Sequence, residues 1–369
     1  MKITALKSFI LHVPVTRNGV SDSTHTLTHW GAPGVMIETD AGITGYGYSG
    51  THAHLPTDRL ITQCIETCFA DLIIGRNPLE VTALWREMER FPPVQWVGRG
   101  GITQLALGAI DVALWDIKAK VNKMPLWQEM GGNARKIRAY NTDGGWLNWP
   151  METLIDDCRR LVQDEGYTGV KIKVGSPNLS TDIKRLEAVR KAIGPDVTLA
   201  VDANGLMDLP TAMRFGKYLA DADVMWFEEP LWYDDVASHK RLAQSITTPI
   251  ALGEQLYLPH NFATFIEAGA LHYAQPDVAR LGGITPWIQV ADMALNYGLP
   301  VVSHVGDMMQ THIHTAIGHP SNTMLEYIPW LRDCFTDPAT VKDGYFLVPQ
   351  QPGAGTTLRD DALERFGVA

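Results

Sequence analysis

The sequence predicts an α/β protein built on a parallel TIM-type barrel, with an α+β domain in front of it. Three observations lead there. From about residue 137, short apolar segments alternate with helical stretches eight times, about 25 to 30 residues apart, the pattern of a parallel sheet closed by crossover helices. Seven consecutive segments of that series end in ionisable residues. Upstream, up to about residue 130, alternating strand patterns give way to long helical runs.

Taken in order, KITALKSFILHV, GVMIETD and ITGYGYSG predict a small antiparallel sheet, with a hairpin turn at Asp40, Ala41 and Gly42. Between the first two lies TRNGVSDSTHTLTHW, polar and without period, which reads as a lid. Residues 57 to 132 read as helices, with Ile110, Leu114 and Ile117 on one apolar face. The barrel strands are then IRAYNT at 137, GVKIKV at 169, LAVDAN at 199, MWFEEP at 225, IALGE at 250, YAQPDV at 273, PVVSHV at 300 and TMLEYI at 323. In the helix after the second, Ser180 is the expected N-cap and Gly194 the stop, with Ile183, Leu186, Val189 and Ile193 facing inward. A doubly wound open sheet is the competing arrangement. The domain limits are residues 1–130 for the first domain and 131–328 for the barrel, with 329–369 packing back on the first domain.

Bulk properties exclude several classes. Hydrophobic residues make up 45% and charged ones 20% of 369 residues, enough apolar material for a large core. A net charge of −10 with no lysine or arginine cluster argues against a nucleic-acid partner. No apolar run approaches a membrane span and the N-terminus does not form a signal segment, so no membrane partner and a cytoplasmic location are expected. Cys64, Cys68, Cys158 and Cys334 contain no CxxC pair; no disulfide framework is expected, and Cys64 and Cys68 read as core fillers.

The strand ends carry the chemistry. Strand two supplies Lys171 and Lys173, strand three Asp202 and Asn204, and strand four Glu228 and Glu229. Glu254, Asp277, His304 and Glu326 end the next four. Asp202, Glu228 and Glu254 are 26 residues apart each time, one strand-helix unit, so three neighbouring strands aim carboxylates at one point. Such a cluster repels itself unless a cation joins it, and hard oxygen ligands suit Mg²⁺. Glu228 and Glu229 point to opposite faces, and periodicity does not choose between them. Lys171 and Lys173 share a face, and each ammonium is expected to lower the pKa of the other until one serves as a base. Asp277 and His304 end adjacent strands, close enough for the carboxylate to orient the imidazole. A metal flanked by a lysine and a histidine describes a site that moves a proton α to a carboxylate.

These residues, as KIK at 171, DAN at 202, EEP at 228, GE at 253, PD at 276 and SH at 303, resemble the enolase superfamily, mandelate racemase subgroup, over nearly the whole chain. The resemblance implies a modified (β/α)7β barrel under an α+β capping domain. It puts the Mg²⁺ ligands on Asp202, Glu228 and Glu254, one base on Lys173 with Lys171 beside it, and the second acid or base on the Asp277–His304 dyad. Glu326 would hydrogen-bond the substrate carboxylate and Asn204 would contact substrate. YNTDGGWLN at 140, KIKVGSPN at 171 and MLEYIPWLRDCF at 324 are most similar to acid-sugar dehydratases, which implies a small sugar acid as substrate and a homo-oligomer. Residues 15 to 30 and THAH at 51 depart from that pattern; there Arg17 is expected to reach a distal group of the substrate and His52 to touch it.

Rival readings are narrower. GYGYSG at 45 to 50 fits a dinucleotide fingerprint, but the hairpin before it and Pro56 after it spoil the strand-turn-helix context. THAH at 51 and THIH at 311 space histidines at i and i+2, which raises zinc; substrate contacts or ordinary polar positions are favoured. Epimerisation of a 2-hydroxy or sugar acid on the same apparatus, and sugar-acid binding without catalysis, complete the alternatives.

Overall fold

The computed structural model describes residues 1–51, 54–305 and 309–368. Strands Ile3–Pro14, His29–Thr39 and Thr44–Tyr48 form an antiparallel sheet whose centre is His29–Thr39. The hairpin turns where expected, with Gly42 at φ 72°.

Against this sheet lies the helix Ile102–Val121. The expected apolar face of Ile110, Leu114 and Ile117 is fully buried, yet the helix is buried almost all round because the barrel packs on its other side. GYGYSG serves that packing. A Cβ on Gly47 would sit 1.9 Å from the Ala109 carbonyl oxygen, so only glycine lets sheet and helix approach so closely.

The barrel runs Ile137–Asn141, Gly169–Lys173, Thr198–Asp202, Val224–Glu228, Ile250–Leu252 and Tyr273–Ala274, each parallel to its neighbour, and Met324–Tyr327 pairs back on Ile137–Asn141. The segment PVVSHV contributes only bridges at Val301, to Ala274 and Asn322, rather than a full strand. Pro300 has no N–H to give, which shortens the ladder there. The ring nevertheless closes, as an eight-membered rather than an open sheet.

The second barrel helix spans Leu179–Ile193, and its N-cap is Asn178, not Ser180: the Asn178 side chain accepts from the Ser180 amide at 3.0 Å. Leu186, Val189 and Ile193 face inward as expected, with Ile183 only partly buried.

Further contacts join the parts of the chain. Asp111, buried on the long helix, accepts from Thr285 N at 2.9 Å and Thr285 Oγ1 at 2.7 Å, so the first domain caps the helix Ile284–Asn296 of the barrel. The C-terminal segment touches both parts: Ala354 N donates to Asp116, Val368 N to Ile10 O, and Tyr345 pairs beside Arg138. Among the described residues no helix is long and apolar enough to cross a membrane, and all four cysteines are free.

Candidate metal centre and proton-transfer site

The strand ends converge as the spacing requires. Asp202, Glu228 and Glu254 are buried, and one oxygen from each lies within 4.8 Å of the others. This chooses between the adjacent glutamates, since Glu228 and not Glu229 joins the cluster. Glu228 Oε2 is fixed from below by Trp226 Nε1 at 2.9 Å and Gln275 Nε2 at 2.7 Å.

Lys171 and Lys173 stand on one face. Lys171 Nζ lies 2.5 Å from Glu228, 3.0 Å from Glu326 and 3.7 Å from Asp202. Lys173 Nζ donates to Asp202 at 2.6 Å and to Asn204 Oδ1 at 3.2 Å. Asn204 takes a left-handed conformation, φ 45°, that Asn tolerates, and its amide donates to Asp202 Oδ1 at 2.9 Å.

On the other flank, His304 Nδ1 lies 2.7 Å from Asp277 Oδ2, and His304 Nε2 lies 3.3 Å from Glu254. Asp277 is itself fixed as the N-cap of Val278–Leu281, accepting from Ala279 N at 2.7 Å and Arg280 N at 3.2 Å. Lys173 thus adjoins the Asp202 end of the cluster and His304 the Glu254 end.

The protein's own groups leave the cluster short of positive charge. Four buried carboxylates, Asp202, Glu228, Glu254 and Glu326, face two ammonium groups, while burial and these neighbours hold the adjacent Glu229 well above the usual carboxylate range. Burial pushes Glu228 up to about 7, and Asp202, Glu326 and Glu254 add to this against Lys171. A hard divalent cation between the three clustered oxygens is what this donor set fits.

The same count corrects the expected lysine pKa. Burial lowers Lys173, and so does Lys171, but Asp202, Asp22 and Glu254 outweigh both and hold the ammonium above its ordinary range. Lys171 is likewise held up, mainly by Glu228 and Glu326 against burial. Burial lowers His304 too, yet Glu254 and then Asp277 raise it to about 9. Glu326 goes the other way: burial raises it, but Lys171, His304 and a hydrogen bond from Thr142 hold it at about 2. It therefore stands as an acceptor among Lys171, Thr142 and Val305 N.

Arg17 is not brought to the site. Its guanidinium lies 2.7 Å from Asp157 and 4.8 Å over the Trp149 ring, because a buried carboxylate on the helix Met151–Gln163 satisfies it better than the cavity does. His52 lies outside the described residues. THIH falls on the helix Met309–Gly318, where i and i+2 point to nearly opposite sides: His312 Nε2 accepts from Val278 N at 3.1 Å and His314 Nδ1 from Trp127 N at 3.3 Å. Neither belongs to a metal-ligand group among the described residues.

Thr142, Trp146, Gln275 and Asp22 join the site without standing out in the sequence pattern. Thr142 ends the first barrel strand's neighbourhood with a hydroxyl, and Trp146 places its ring 5.6 Å from Lys173 Nζ. Asp22, at the turn between the short antiparallel strands Val20–Ser21 and Thr26–Leu27, is held below its ordinary range: burial raises it, but His25 and Lys173 prevail. Thr142 and Gln275 each follow a barrel strand directly, a positional signal that the sequence carries for both.

Comparison with known proteins agrees with this geometry. Residues 5–131 match the mandelate racemase/muconate lactonizing enzyme N-terminal domain, and residues 153–362 match the enolase C-terminal domain-like family. The chain is similar to the L-talarate/galactarate dehydratase of Salmonella typhimurium, 34% identical over 79% of this chain and 72% of that one. It is similar to the arabinonate dehydratase of Saccharolobus solfataricus, 32% identical over 89% of each. A solved structure of the Salmonella typhimurium L-talarate/galactarate dehydratase, liganded with Mg and L-lyxarohydroxamate, superposes with a TM-score of 0.92 at 31% identity, covering 100% of this chain and 93% of that one. The chain belongs to the mandelate racemase/muconate lactonizing enzyme family of the enolase superfamily.

Proposed function

We propose that the chain is a Mg²⁺-dependent hydro-lyase that removes water from an acid sugar, with galactarate-like and talarate-like substrates favoured. The observation that carries this reading is the pairing of two proton carriers, Lys173 and His304, at opposite ends of one three-carboxylate cluster. Relatives that are dehydratases of talarate, galactarate and arabinonate support it.

Asp202, Glu228 and Glu254 would hold Mg²⁺. Bound there, the ion would supply a Lewis acid that neutralises the charge developing on the substrate carboxylate as the α-proton leaves. With the charge of Asp202 and Glu254 taken up by the ion, burial and Lys171 would bring the Lys173 ammonium down, and the neutral amine would accept the α-proton at Nζ, breaking the C–H bond while its electron pair moves toward the carboxylate. His304, as imidazolium, donates from Nε2 to the β-hydroxyl, which departs as water as the Cα–Cβ double bond forms. The enol product then tautomerises to a 2-keto-3-deoxy acid. Asp277 holds Nδ1–H and so keeps Nε2 as the exchanging nitrogen. Lys171 and Glu326 pair beneath Lys173 and fix the floor of the site.

The test is a screen of mono- and diacid sugars with Mg²⁺, assayed for 2-keto-3-deoxy product. Dehydration of at least one acid supports the reading; absence of product from all of them sinks it. Incorporation of α-deuterium in D₂O without a keto acid would replace it with epimerisation, which the same two proton carriers serve.

A further inference from the structure

The carboxylate of Asp143 takes no part in the metal cluster, yet it sits where three separate pieces of chain meet the wall beside Lys173. Thr16 Oγ1, from the lid, donates to its two oxygens at 3.0 and 2.8 Å. Trp330 Nε1, from the segment after the last barrel strand, donates at 3.0 Å, and Trp146 Nε1 at 3.4 Å. Every one of these donors is neutral. Trp330 also donates to Thr16 Oγ1 at 2.8 Å, and the Trp146 and Trp330 rings stack at 5.4 Å.

What this unit faces is the proton carrier. The Trp146 ring lies 5.6 Å from Lys173 Nζ, and the neighbouring Gly145 carbonyl accepts from Lys173 N at 2.8 Å. The same loop holds the lid a second time: Leu147 N donates to Ser21 O at 2.8 Å, and Ser21 N to Asn148 Oδ1 at 2.9 Å. Farther along the lid, Ser23 Oγ donates to Ala203 O at 2.7 Å, between Asp202 and Asn204. Lid, aromatic wall and Lys173 backbone are therefore one hydrogen-bonded assembly with Asp143 at its node.

We infer that Asp143 is a positioning residue, whose carboxylate ties the lid through Thr16 and the Trp146–Trp330 pair through their indole N–H groups so as to fix the wall against which Lys173 moves its proton. A single acceptor serving three donors makes the lid and the wall close together. This rests on the dehydratase reading for its kinetic arm only.

The experiment compares Asp143→Ala, Asp143→Asn and Thr16→Val with wild-type protein in Mg²⁺. Hydrogen exchange of peptides covering residues 16–27 should accelerate about tenfold in Asp143→Ala and Thr16→Val, the loss of one or two hydrogen bonds, while barrel strands stay protected. Asp143→Asn, which keeps an acceptor oxygen, should restore most of the protection. On whichever acid sugar the wild type dehydrates, kcat/KM should fall about tenfold in the first two variants, with KM carrying more of the change than kcat. Unchanged lid exchange in both, or exchange that rises equally throughout the barrel, overturns the inference. If the wild type dehydrates no acid sugar, the functional reading falls and the exchange result alone decides this one; Thr16→Val, which spares the core, covers the case in which Asp143→Ala does not fold.

Discussion

Replacing Asp277 by Asn is the sharpest perturbation of the His304 flank. One Asp277 oxygen accepts from Ala279 N and Arg280 N, and the other lies 2.7 Å from His304 Nδ1. Asn caps helices as well as Asp does, so the oxygen on the cap stays and the helix Val278–Leu281 survives. The amide NH₂ then faces Nδ1 and donates to it, forcing the proton onto Nε2 and reversing the tautomer. A charge-assisted hydrogen bond is lost, about 1.5–3 kcal/mol, which lowers the imidazolium pKa by about 1 to 2. General acid–base catalysis supplies about 10²–10⁴ in rate, and a histidine whose Nδ1 accepts from the amide is kept from the imidazolium form that donates at Nε2, which forfeits most of it. The assay is steady-state dehydration of the acid sugar found by screening, with thermal unfolding run alongside. A fall in kcat of about 10²–10⁴ with a melting temperature near that of wild type is expected. A kcat within a few-fold of wild type would refute the role given to the dyad.

Other expectations follow from the same geometry. Glu254→Gln removes one of three clustered charges and should weaken Mg²⁺ binding on the order of tenfold or more, read by calorimetry; unchanged affinity removes Glu254 from the ligand set. Lys173→Ala should lower turnover on the order of 10²–10⁴ while circular dichroism shows the fold retained, because Asp202 keeps the Asn204 amide at 2.9 Å and Lys171 at 3.7 Å. Burial raises Asp111 to about 7, partly offset by Thr285; its folded pKa exceeds the ordinary value, so the folded protein binds the extra proton and stability declines as pH rises from about 4 to 7. Asp111→Asn should flatten that decline, and a melting profile whose slope over this window matches the wild type would contradict it.

The barrel was legible because its periodicity is local: each strand-helix unit repeats a texture, and a buried strand that ends in a charged residue stands out against the apolar run before it. Asp202 and Glu254, with one glutamate of the Glu228–Glu229 pair between them, could be read from their spacing, since a parallel barrel puts successive strand ends side by side. Spacing does not choose Glu228 over Glu229, because adjacent residues differ only in which face they take; the family resemblance points to Glu228, and Glu228 is the one that joins the cluster. Arg17 illustrates what sequence does not encode. Its partner Asp157 is 140 residues away, and nothing near either residue announces the pair. The lysine pKa is hidden for a related reason: two ammonium groups are visible in KIK, whereas the carboxylates that outweigh their repulsion at Lys173, Asp202, Asp22 and Glu254, come from other strand ends and from the first domain. Ser180 was displaced as a cap by Asn178 because either residue caps a helix well, and local pattern cannot rank them. Asp143 escaped notice because the first barrel strand itself ends without a charge, and its partners Thr16 and Trp330 flank it at long range.

The central claim is that one divalent ion is held by three strand ends with a proton carrier at each end of the cluster. Its most direct test is a crystal of the protein grown with Mn²⁺ in place of Mg²⁺, in which the anomalous signal marks the ion. One strong peak per chain is expected, bonded to Asp202, Glu228 and Glu254, with Lys173 and His304 on opposite sides of it. A peak at other residues, or none at saturating Mn²⁺, would contradict it.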